Sequence, residues 1–279
     1  MAHESERWWS GPWFLVECFV CVNLAFLTFD IYLAHSVNDF RRTAEYIPLY
    51  FSAVAPAVLI VGLVARLRLA AGGKRASFWR VVWNSAGYLV GGSAIVVGLA
   101  GVLLHLDSAF FAERTIRSLT YSAPFAAPLA YAGLGFLLLL NRMVDSESRE
   151  WAQWVLFMTL GGFIGNFIFS LTDHASNGFF DRVEWVPVVA SAFAVGFLVT
   201  PFLLHVSANF YLVCSGVLLL EAAVGVWGFI LHAENNLHGP SVHAFSNFIN
   251  GAPPLAPMLF PNLVVLGLIA SWRLKRLAS

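Results

Sequence analysis

HSVNDFRRTAEYIP, residues 35–48, returns later in the chain as HASNGFFDRVEWVP, residues 174–187. Laid over each other without a gap, the segments share His35/His174, Asn38/Asn177, Phe40/Phe179, Glu45/Glu184 and Pro48/Pro187, with Tyr46/Trp185 and Ile47/Val186 as near matches. Two more echoes follow in the same order. VGLAGVLLH at 97–105 matches VGVWGFILH at 224–232, and APFAAP at 123–128 matches APPLAP at 252–257. The offsets are 139, 127 and 129 residues. Ordered echoes at nearly constant spacing read as an internal duplication.

The surroundings of these segments set the class. The 279-residue chain is 59% hydrophobic and 11% charged, with a mean hydropathy of +0.74, against roughly 25% charged residues in a soluble domain. It reads as an all-α, polytopic membrane helix bundle in contact with the lipid bilayer. The apolar runs give about eight spans, 13–34, 48–68, 82–104, 123–141, 152–171, 187–205, 209–231 and 254–272, each near the roughly 20 residues a bilayer core requires. Helices one to four then recur as helices five to eight, a tandem 4+4 parallel duplication with units at 1–146 and 147–279. Because four is even, both units have the same topology, and the expected relation is a pseudo-two-fold axis along the membrane normal.

Formal net charge is zero, from 16 basic and 16 acidic residues, which gives no electrostatic footprint for nucleic acid. Counting Lys and Arg in alternate connections sets the orientation. With both termini cytoplasmic, eleven fall inside (Arg7, Arg66, Arg68, Lys74, Arg75, Arg80, Arg142, Arg149, Arg273, Lys275, Arg276) and five outside. The expected location is a bacterial inner (plasma) membrane, multi-pass. The start, MAHESERWWSGPW, lacks the basic region and cleavage site of a secretory signal, so the first span is read as retained, with Trp8, Trp9 and Trp13 as an interfacial anchor.

On this topology His35, His105, His174 and His232 end helices one, three, five and seven at the outer interface, two from each unit. His238, His243, Asp173 and Glu234 lie nearby as additional outer ligands, whereas His3 and His205 fall inside. Imidazoles fixed at one depth suit a transition metal ion or axial ligation of haem b. The competing explanation is that His settles readily at an interface, and a duplication copies a helix cap as faithfully as a ligand. No HExxH, CxxCH or i, i+4 His pair strengthens the metal reading.

Glu221, Gly225, Gly228 and His232 share one face of helix seven at spacings of 4, 3 and 4; helix three has Ala94, Gly98, Gly101 and His105 at the matching positions. The small residues allow close helix packing. Glu221, in mid-span, is a functional candidate by position alone. With Asp30 and Asn23 it forms a candidate intramembrane polar relay; Asn166 and Asp173 form a similar stripe on helix five. Cys18, Cys21 and Cys214 read as buried hydrophobes rather than a thiolate site.

No phosphate loop, nucleophile elbow or catalytic triad can be placed, so no enzymatic activity is assigned. Three functions fit. The first is haem or metal binding for electron transport or metal handling at the duplicated histidines. The second is a proton- or ion-coupled transporter or channel with its pathway on the pseudo-axis, involving Glu221. The third is an accessory subunit docking on other subunits of a membrane complex through its aromatic faces.

Overall fold

The structure, a computed structural model, describes residues 11–70 and 74–278. His3, Arg7, Trp8 and Trp9 lie outside the described residues. Among those described, all regular structure is helical: α1 (Pro12–Ser36), α2 (Tyr46–Ala70), α3 (Ala76–Leu106), two short helices α4 (Phe110–Glu113) and α5 (Ile116–Thr120), α6 (Leu129–Met143), α7 (Arg149–Ser176), α8 (Trp185–Leu203), α9 (Ala208–Leu237), the short α10 (Ala244–Asn250) and α11 (Leu259–Ala278). Among the described residues, seven helical segments are long and apolar enough to cross a membrane.

The fourth expected span is shorter than its apolar run. The reading 123–141 takes Pro124 and Pro128 into the first turns of a helix, but α6 begins only at Leu129 and has 15 residues. At 1.5 Å per residue it covers about 22 Å, less than the roughly 30 Å of a hydrocarbon core. The cause is local: Pro128 has no amide to donate, and residues 124–129 form successive turns, with the amides of Ala127 and Leu129 donating to the carbonyls of Pro124 and Ala126. The same chemistry delays α11, which follows a 3-10 turn at Ala256–Met258.

The chain divides into two compact units. One comprises residues 1–97 and 131–151, the other residues 98–130 and 152–279. In the first, Val16, Val20, Leu24 and Leu27 form the buried stripe of α1. The α3 and α6 backbones cross at glycines, where a Cβ on Gly91 would stand 3.0 Å from the Gly135 carbonyl. The Ser52 hydroxyl bonds the phenol of Tyr131, which donates to the Pro48 carbonyl. In the second unit α11 lies against α7 and α9, since a Cβ on Gly267 would meet Leu218 at 2.8 Å and Thr159 at 3.0 Å. Phe163 of α7 packs edge-on to Phe260 of α11; the start of α7 belongs to the first unit, where Ser148 caps it by accepting the Trp151 amide.

Candidate functional site

The two quoted segments fold alike. Each helix ends at its His in a reversal, where the amide of Phe40 or Phe179 donates to the carbonyl of His35 or His174. Both phenylalanines sit at positive φ, 49° and 51°, preceded by Asp39 at 55° and Gly178 at 79°. A 3-10 turn follows, Thr43–Glu45 or Arg182–Glu184. Phe40 stacks on Tyr46 at 4.7 Å and Phe179 on Trp185 at 4.1 Å. The His35 Nδ1 stands 3.6 Å from Glu45 Oε2, and the His174 Nδ1 stands 3.7 Å from Glu184 Oε2. These Glu partners are the residues that the echo shared without revealing their use.

The second pair of histidines is anchored in another way, again twice. His105 Nδ1 donates to the Pro124 carbonyl and His232 Nδ1 to the Pro253 carbonyl, both at 2.8 Å. A Cβ added at Gly101 would press on Pro128 at 2.7 Å, and one at Gly228 on Pro257 at 3.1 Å. The glycines of the small-residue stripe therefore admit the proline corner that receives the imidazole. At His105 and His232 the Nδ1–H is held by a backbone carbonyl, the arrangement that fixes the tautomer of a ligating or proton-accepting His and leaves Nε2 for the ligand, whereas His35 and His174 have a carboxylate nearby but beyond hydrogen-bond range.

In the second unit, His174 and His232 line one cavity of about 550 Å³. Asp173 lines it with them, and the three groups are close enough to feel one another's charge. Phe169, Trp227 and Phe260 supply aromatic walls, while Asn166 and Ser170 reach it from deeper on α7. This mixture of apolar wall and few convergent polar groups, at this size, is typical of small-ligand and cofactor sites. Asn166 is 4% exposed and its Nδ2 has no hydrogen-bond partner. Glu221, 3% exposed, also has an unpartnered oxygen, Oε2, one turn below Gly225 of the cavity lining.

The remaining candidates lie apart from this cavity. Glu234, His238 and His243 are solvent-exposed and do not line it. His35 belongs to the first unit and its own Glu45 corner. Asn23 spends its side-chain amide on the Phe19 carbonyl one turn back, and Asp30 is half-buried in the first unit. Among the described residues, no group of three or more His, Cys, Asp or Glu side chains converges as a metal-ion cage.

Sequence reasoning passed over a charged cluster in the first unit. Glu17 of α1 pairs with Arg142 of α6, whose side chain has no exposed surface. The Arg142 guanidinium lies 3.4 Å from the Trp83 ring centroid. Asn141 donates to Glu17 and to the Trp13 carbonyl, and accepts from the Trp151 indole. Gly87 leaves the room this requires, since a Cβ there would overlap the Arg142 guanidinium. The available signal was Glu17 itself, a lone acid inside an apolar run.

Comparison with protein families, with curated proteins and with solved structures finds no match to this chain.

Proposed function

We propose that this is a bacterial plasma-membrane protein, a tandem duplication of a four-helix unit with both termini cytoplasmic, which holds haem b or a transition ion at the His174/His232 cavity for electron transfer or metal handling. The observation that carries this reading is the pair of imidazoles lining one aromatic-walled cavity, His232 with its Nδ1 on the Pro253 carbonyl and His174 with its Nδ1 3.7 Å from the Glu184 carboxylate. Haem asks the protein for only two axial donors, whereas a bare ion needs further ligands. With haem bound, His174 and His232 would be those donors, Glu184 and the Pro253 carbonyl would orient them, and the group would supply one-electron chemistry. The duplication is supported by the paired corners, which match in backbone turn, aromatic stack and His partner.

The test is the optical spectrum of the protein purified in detergent, as isolated and after dithionite reduction, with metal analysis of the same sample. The expected result is a Soret band and a reduced-form band near about 560 nm, as bis-imidazole haem gives. His174→Ala and His232→Ala each abolish both bands, and His35→Ala retains them. A flat visible spectrum together with metal-free protein defeats the reading.

A second reading, proton- or ion-coupled transport, is favoured by Glu221: buried, in mid-helix, with Oε2 unpartnered. Ionisable groups at such depth mark conduction routes by default.

A further inference from the structure

Superposing the echoes position by position separates what the two copies share from what only one has. The corner histidines, their partners and the stripe glycines occur in both. The residues beneath them do not. On α7, Asn166, Ser170 and Asp173 take the places held on α1 by Leu27, Ile31 and Ala34, and on α9 Glu221 takes the place held on α3 by Ala94. Four apolar positions in one copy are hydrogen-bonding or acidic in the other, and three of those four line the His174/His232 cavity. The fourth, Glu221, lies one turn below the lining residue Gly225, about 6 Å along the helix.

The two deepest members are the ones left unsatisfied. Asn166 Nδ2 is a donor and Glu221 Oε2 an acceptor, both buried and both without a protein partner. Buried polar groups are ordinarily paired with protein or ordered water, and this cavity has room for several waters at about 30 Å³ each. We propose that the second unit contains a hydrated half-channel carrying protons between the histidine end of the bundle and Glu221, with Asn166 and Ser170 as the residues that position its water. A proton passes along the water from the cavity mouth to the Glu221 carboxylate, closing one O–H bond for each that opens, and it leaves by the same route.

Among the elements packed against α9, α8, α10 and the Ala256–Met258 turn carry no titratable side chain. α11 has Arg273, Lys275 and Arg276 only in its final turns. α7 has Arg149 and Glu150 at one end and Asp173 and His174 at the other. On α9 itself Cys214 lies two turns below Glu221, with Tyr211 beyond it, and His232 and Glu234 lie toward the other end. The column of Asn166, Ser170, Asp173 and His174 is thus the polar continuation from Glu221 toward one end of the unit.

This inference deepens the transport reading and is independent of haem. The test is infrared spectroscopy of the full chain in liposomes during H2O-to-D2O exchange. The Glu221 carboxyl C=O band is assigned by its loss in Glu221→Gln. In the wild type it is expected to shift to the deuterated position promptly. Asn166→Leu/Ser170→Ile, which installs the residues of the first copy, is expected to slow that shift at least tenfold at an unchanged unfolding midpoint. Because both substitutions lie on the histidine side of Glu221, slowing identifies that side as the route. Should the double variant fail to fold, Ser170→Val alone is expected to slow exchange in the same direction. Exchange as fast as wild type in the folded variants, or a wild-type band that is absent or inert, overturns the proposal. Prompt exchange at Glu221 with no proton flux across the liposome defeats the transport reading and leaves the half-channel standing.

Discussion

Arg142 is the penultimate residue of α6, and its charge is fully enclosed by Glu17, the Trp83 ring and the Gly87 hollow. Its worth lies in the pairing, because removal of one partner strands the other in low dielectric. Arg142→Met is expected to destabilise the protein by about 3–5 kcal/mol, and Glu17→Leu/Arg142→Met to recover most of that loss, as replacement of whole buried pairs by apolar residues commonly does. Unfolding in detergent with increasing SDS measures both variants. A double variant no more stable than the single one would mean that the guanidinium acts through its stack on Trp83 rather than through Glu17. The pair was illegible in the sequence for a physical reason. Its members are 125 residues apart, and the positive-inside count places Arg142 in a loop because charges at helix ends face water by default. The stripe of Gly225, Gly228 and His232, by contrast, was legible, because spacing on a single helix determines a shared face, and all three line one cavity.

At the scale of elements, the duplicated corner is where the sequence spoke most plainly. It gave the helix end, the turn and the return helix twice, but not the backbone conformation that joins them. Two consecutive residues adopt left-handed geometry in each corner, which costs an L-residue roughly 1–2 kcal/mol, and one of the two is a phenylalanine held by an aromatic stack worth about 0.5–1.5 kcal/mol. Only one of the preceding residues is a glycine. Gly178→Ala is therefore expected to cost about 1 kcal/mol, while Asp39→Gly, which gives the first corner the residue of the second, is expected to be neutral or slightly stabilising. Thermal unfolding of the two variants in detergent checks this, and a destabilising Asp39→Gly would show that the Asp39 side chain supports the turn. The shortened α6 was misread because its prolines were taken for helix-opening residues. Pro124 instead turns its carbonyl to His105, and a proline corner so engaged postpones the helix to residue 129.

For the whole molecule, the features that the two segments share build the corners, and in the proposed reading the unshared ones would carry the chemistry. Under the proposed duplication a copied helix cap appears in both copies, as the His–Glu and His–Pro contacts do. On that reading each copy carries polar residues that the other lacks, Asn166, Ser170 and Asp173 opposite Leu27, Ile31 and Ala34, and Asn23 and Asp30 opposite Gly162 and Phe169. His174 and His232 line the cavity and His35 and His105 do not, a division that shared letters do not reveal. Identical letters go with a common local fold, and the cavity lining includes Asn166, Ser170 and Asp173, at which the letters differ. The number of crossings turns on α6, because seven long helices and one of 15 residues among the described residues leave the parity to it. If α6 crosses, eight passages put residues 12 and 278 on one side, as the excess of Lys and Arg at the inner ends requires. A reporter active only in the cytoplasm, fused after residue 278, is expected to be active. An impermeant thiol reagent added to intact cells is expected to leave a cysteine at Ser146, between α6 and α7, unlabelled. An inactive reporter with a labelled Ser146→Cys would mean that α6 turns back within the membrane, and the two copies could then not share one topology.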